Sequence, residues 1–179
     1  MITIEELKSL ILKAFVDVPP PPDWCIVESG EGDEPRAVQT AFAGVKDWRD
    51  ISPEELDRAP NGLGSALSFF SDEAFRYYLQ AYLIADLEGK LESTDPVWHL
   101  TSGLTNEAKR ECVNSLRYGA RTWWDSSVYT FSVFTAEQVF AIASYLQYKM
   151  SAGVLLETDE ASVAEALSNY WLSRCSVCP

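Results

Sequence analysis

Apolar residues recur at helical spacing in several separate stretches, and most of these stretches open on a capping signal and close on a turn residue. Thr3 with Glu6 three positions later forms a capping box, and Ile4, Leu7, Ile11, Ala14 and Phe15 follow at intervals that predict a helix over about 4–16. Pro19-Pro20-Pro21-Pro22 fixes φ and removes backbone donors, so the chain should run extended behind it. Residues 28–35 read as an acidic, glycine-containing loop and residues 36–43 as a short helix ending near Gly44. Ser52-Pro53-Glu54-Glu55 starts another short helix, stopped by Pro60-Asn61-Gly62. Ser71 opens the clearest element. Asp72 and Glu73 fall in its first turn, where the helix dipole favours anions, and Phe75, Tyr78, Leu79, Tyr82, Leu83 and Leu87 mark one face as far as Gly89.

The second half follows the same pattern with one exception. Thr105 and Gly119 bracket a helix over 105–118 whose apolar face, Ala108, Cys112, Val113 and Leu116, is weak. In the loop before it, 88–104, Trp98 and Leu100 read as packed. Residues 122–134 carry strand propensity instead: Val128, Thr130, Ser132 and Phe134 alternate with Tyr129, Phe131 and Val133. A lone strand has no partner elsewhere, so the stretch is read as an extended connection, with a short hairpin as the alternative. Thr135 and Gln138 form a further capping box ahead of Val139, Ile142, Ala143, Leu146 and Met150, with a stop at Gly153. Asp159 is the expected cap of a last helix that turns Val163, Ala166, Leu167, Tyr170 and Trp171 inward. The expectation is an all-α single domain over 1–179 with about seven helices, a possible small hairpin near 122–134, and an irregular proline-rich and acidic segment at 17–35.

Composition narrows the function. The 179 residues are 47% hydrophobic, enough for a packed core. Against 27 acidic residues stand 14 basic ones, for a net charge of −13. That balance argues against direct nucleic-acid binding and against anionic membranes. The nearest basic group, Lys109, Arg110, Arg117 and Arg121, has Glu107 and Glu111 among it. No run of 18 apolar residues occurs, and Met1 to Glu6 lacks the basic start of a signal peptide, so a cytoplasmic protein is expected. The cysteines at 25, 112, 175 and 178 should then be thiols, and the Cys175/Cys178 pair has no second pair to complete a zinc site. No metal and no cofactor is expected.

Phe42, Gly44 and Trp48, followed by Leu67, Phe69-Phe70-Ser71 and the run Phe75-Arg76-Tyr77-Tyr78-Leu79-Gln80-Ala81-Tyr82-Leu83, resemble an uncharacterised family of bacterial cytosolic proteins. Its pattern is close to F-x-G-x-x-W, then F-L-S-x-x-x-x-R-Y-Y-L-P-A-Y-L. The likeness extends to Phe134-Thr135-Ala136-Glu137-Gln138 and the helix behind it, about two-thirds of the chain in all. It implies a class and a bacterial origin and brings no activity with it. Gln80 stands where the pattern has proline, so a kink between Tyr78 and Tyr82 is not implied here.

Four groups of residues could carry a function. Tyr78, Tyr82 and Asp86 lie one turn apart on one helix face, with Arg76 before them, and could line a small-molecule or enzymatic pocket. Trp123 and Trp124, after Arg121, point to opposite sides of an extended chain, so one should be exposed as an interface anchor. Asp33 and Glu34, with Glu31, lack the twelve-residue spacing of a calcium loop and read as an acidic contact surface. His99 has no nucleophile motif to serve, and Gly62-Leu63-Gly64-Ser65 matches neither a nucleophile elbow nor a phosphate loop, so no catalytic residue is assigned. The favoured expectation is a non-enzymatic acidic protein that binds a basic protein partner, such as an immunity or inhibitor protein. The alternative is the pocket around Tyr78, Tyr82 and Asp86, and a third reading is a structural subunit.

Overall fold

The structure, a computed structural model, describes residues 2–58 and 66–175. It is all-α. Nine α-helices stand among the described residues: α1 (Ile4–Ala14), α2 (Asp33–Phe42), α3 (Pro53–Asp57), α4 (Asp72–Leu87), α5 (Pro96–Thr101), α6 (Ser115–Tyr118), α7 (Trp123–Phe131), α8 (Ala136–Ser151) and α9 (Glu157–Ala166). Pairing of β type among them is limited to two isolated antiparallel bridges, Val27 with Phe70 and Cys112 with Thr122. Several of the caps read from the sequence close as written. Ser52 and Glu55, and Thr135 and Gln138, satisfy each other's backbone reciprocally, and the Ser71 hydroxyl accepts from the Ala74 N–H. Gly44, Gly89 and Gly153 all take positive φ just past their helices. The stop at Pro60-Asn61-Gly62 lies outside the described residues.

Several expectations are corrected. Residues 122–134 are neither extended nor a hairpin: Thr122 and Asp125 form a capping box and launch α7. Trp123 and Trp124 therefore sit in the first turn of a helix, about 100° apart around its axis rather than on opposite faces. The helix expected over 105–118 does not form as one piece. The Thr105 hydroxyl does accept from the Ala108 N–H, but the chain turns away at Glu111, and only α6 at the end of that span is helical. α2 begins at Asp33, not 36, because Pro35 in the first turn has no amide to satisfy, so Asp33 and Glu34 belong to a helix start rather than a loop. α9 is capped at Leu156, with Asp159 inside its first turn. Trp98 is exposed on α5, whereas Leu100 is buried as expected.

The described residues of 11–96 form one compact unit. α4 is buried on nearly every side, with Phe75, Tyr77, Tyr78, Leu79, Tyr82 and Leu83 among its covered residues. Phe42 and Phe70 pack on Tyr78 at ring separations of 4.9 and 5.2 Å. The segment behind the prolines is tied to the start of α4, since Glu28 N–H donates to the Phe69 carbonyl at 3.1 Å and Ser71 N–H to the Ile26 carbonyl at 3.0 Å. Asp57 closes the other end of α3. Its carboxylate accepts the backbone N–H groups of Glu92, Ser93 and Thr94 at 2.7 to 3.0 Å. Burial would raise that carboxyl, but the three amides outweigh it and hold it below its ordinary range.

The described residues of 1–10 and 97–179 form the second unit. Its core is an aromatic cluster of Phe131, Phe134, Tyr170 and Trp171 beside the buried face of α8. The Trp171 indole N–H donates to the Leu100 carbonyl at 3.0 Å. Arg174 donates to the carbonyls of Phe131 and Phe134 at 2.7 and 3.1 Å, which supplies donors where α7 leaves carbonyls open. Between the 3-10 turn Ser102–Leu104 and α7 the approach is so close that a Cβ on Gly103 would lie 2.9 Å from that of Ser127.

Candidate functional site

The polar residues of α4 do not face one cleft. Tyr82 is fully buried and its hydroxyl donates to the Leu56 carbonyl at 3.1 Å, not to Asp86. Tyr77 accepts from the Trp48 N–H and donates to the Lys46 carbonyl, both at 3.2 Å. The Tyr78 hydroxyl is buried and makes no hydrogen bond among the described residues, and desolvation pushes its ionisation far up. Arg76 and Asp86 are half-buried. α4 runs unbroken through Gln80, whose side-chain amide donates to the Tyr77 carbonyl at 3.0 Å. A cavity of about 380 Å³ does lie in this unit, between α2 and the segment 50–58; Phe42 lines it, with its ring 4.9 Å from that of Tyr78.

A more exposed group forms where residues 23–28 meet the start of α4. Cys25 Sγ lies 3.4 Å from Glu73 Oε2 and 3.7 Å from Ser71 Oγ, and the Ser71 hydroxyl donates to the Cys25 carbonyl at 2.5 Å. Burial raises the Cys25 thiol, and the charges of Glu73 and Asp72 add to it. Burial likewise raises the Asp72 carboxyl, with Glu28 and Glu73 adding repulsion of the same sign. Trp24, next in the chain to Cys25, is 83% exposed. From sequence, Trp24 and Trp48 lie next to loops and could serve as exposed interface anchors in the same way as Trp123 and Trp124; the pairing of the Trp24 segment with the Ser71 cap is long-range and has no local sequence signal. Asp33, exposed, and Glu34, half-buried, lie at the start of α2 in the same unit.

The second unit, itself net acidic with ten acidic against seven basic residues, carries a local surface with exposed arginines. Glu111 N to Arg121 forms a finger closed at its base by the Cys112–Thr122 bridge, by Val113 N–H to the Arg121 carbonyl at 3.0 Å and by Trp123 N–H to the Glu111 carbonyl at 3.1 Å. Asn114 caps α6 at the tip, and Gly119, at φ 62°, reverses the chain. Every residue from 111 to 121 except Val113 is exposed, and Leu116 is 100% exposed. Arg117 lies over the Tyr118 ring and Arg121 over Tyr129, at 5.4 and 5.6 Å. Trp123 is 42% exposed at the finger's base, whereas Trp124 is half-buried under Lys109 at 4.5 Å.

His99 is half-buried, meets Trp98 edge-on at 5.0 Å, and burial pushes it down to about 4, so it is neutral at pH 7. Among the described residues no three His, Cys, Asp or Glu side chains are grouped to hold a metal ion. Cys175 is buried, while Cys178 and the Gly62–Ser65 stretch lie outside the described residues. No helix among the described residues is long and apolar enough to cross a membrane.

The fold and these surfaces define an all-α protein whose aromatic side chains mostly build the core, with a few held out beside charge. A family model described as "Family of unknown function (DUF6714)" matches residues 3–175, and the chain belongs to that family. No curated protein and no solved structure matches it.

Proposed function

We propose that this chain is a non-enzymatic acidic binding protein that engages a basic protein partner, in the manner of an immunity or inhibitor protein, in a bacterial cytoplasm. The observation that carries this reading is the exposed Trp24 indole on the segment whose thiol touches Glu73, beside the mutually repelling Glu28, Asp72 and Glu73. Like charges held together lower the stability of the free protein, and a cationic partner would relieve that repulsion. A large exposed indole supplies the apolar anchor that interface cores use. Asp33 and Glu34 extend the acidic surface of the same unit and would act on the rate of encounter.

The test is capture from a native lysate on immobilised full-length protein at low and at high salt. Wild type should retain a basic protein at low salt and release it at high salt. Trp24→Ala and Glu73→Lys should each reduce retention at least tenfold. A basic protein held equally by both variants, or none held at low salt, contradicts the reading.

A further inference from the structure

The finger holds an exposed leucine beside two arginines, and the α2 cavity an apolar floor beside two carboxylates. Leu116 leads the finger with its whole side chain in solvent. Burying a leucine fully is strongly favoured over leaving it in water. Ordering cost is small, because the bridge, the Asn114 cap and the Gly119 turn already fix the backbone, and the arginine–tyrosine contacts already orient Arg117 and Arg121. The finger carries Arg117 and Arg121 against Glu111, a balance opposite in sign to that of the chain as a whole.

The cavity has an apolar floor of Phe42, Val45 and Ile51, flanked by Ala37 and Ala41 on α2. Exposed Asp50 and Glu55 also line it, with Arg58 beside them. At about 380 Å³ it has room for more than one side chain. It belongs to residues 11–96, which hold seventeen acidic and seven basic residues.

We propose that the finger of one copy, led by Leu116, docks into the α2 cavity of a second copy of this chain, with Arg117 and Arg121 meeting Asp50 and the acidic surface around it. The contact is heterologous: the finger patch of one copy meets a different patch, the cavity, on another. One finger in one cavity falls below the area of a standard stable interface, and each chain carries −13, so association is weak and grows with concentration. It does not involve Trp24, and it stands or falls separately from the capture of a basic partner.

Sedimentation velocity over a concentration series at near-physiological salt, where the screening length is about 8 Å, reads the contact. Wild type should rise steadily in mean sedimentation coefficient. Leu116→Asp removes the knob and Ala41→Trp fills the hole. Both positions are exposed, and unchanged far-UV circular dichroism and thermal midpoint confirm that each variant folds. Each variant alone should stay monomeric, and an equimolar mixture should regain dimers but nothing larger, because only one productive finger–cavity pair remains. The charge pair Arg117→Asp with Asp50→Lys should behave in the same way: single variants lose association and the double variant regains it. A wild type that stays monomeric, variants that associate as wild type does, or a mixture that stays monomeric would each overturn the proposal.

Discussion

A tyrosine hydroxyl inside a helical core either finds an acceptor or forgoes one at a cost, and the tyrosines of α4 divide on this. Tyr77 and Tyr82 use theirs to hold the backbone at Lys46 and Leu56, while Tyr78 is packed for its ring alone, between Phe42, Phe70 and Tyr77. The spacing of these residues showed that they share a helix face, but not whether their polar tips converge, because acceptors such as the Leu56 carbonyl come from segments distant in sequence. His99 gives a prediction at this scale. Its imidazole ionises at about 4 when folded against 6.5 for the free side chain. Between those values the unfolded chain binds a proton that the folded chain refuses, so stability falls as pH falls through that window. The loss has an upper limit of roughly 3 kcal/mol. Urea unfolding at pH 7 and pH 4.5 should show wild type losing more stability than His99→Gln; equal losses would mean that burial of this ring is not the cause.

Elements were legible where a cap and a periodic face agreed. α3, α4 and α8 each begin at the serine or threonine that the sequence marks, and the glycines end α2, α4 and α8. α7 was hidden because its β-branched and aromatic residues favour a strand locally, whereas the Thr122–Asp125 box and the packing of Phe131 on Trp171 and Phe134 decide for a helix. The finger was hidden for the converse reason: a cap at Thr105 and a glycine at 119 suggest one helix, but backbone pairing at 111–113 with 121–123 splits it. Gly103 sits tightly against Ser127 of α7. Gly103→Ala should cost about 1–3 kcal/mol, as overpacking does, and Ser127→Gly in the same chain should restore most of it. Thermal unfolding of the two variants checks this, and an unaffected Gly103→Ala would show that α7 shifts freely.

At the scale of the molecule the charge is unevenly spread. Residues 11–96 carry most of the acid excess, and residues 109–121, the finger with Lys109 and Arg110 before it, carry a local excess of base. The net charge is legible at once in composition, but its division between two surfaces is not, since it depends on which charges fold beside Trp24 and which beside Leu116. An acidic surface with an exposed indole should gain its speed of encounter from long-range attraction and its lifetime from the buried anchor. Charge reversal at Asp33 and Glu34 should therefore slow association more than it hastens dissociation, and Trp24→Ala should do the opposite. The most direct measurement is the association rate constant of the captured partner against ionic strength, for wild type and for Asp33→Lys/Glu34→Lys. The account predicts a steep fall with salt in wild type and a shallower one in the variant; a flat wild-type profile would contradict it.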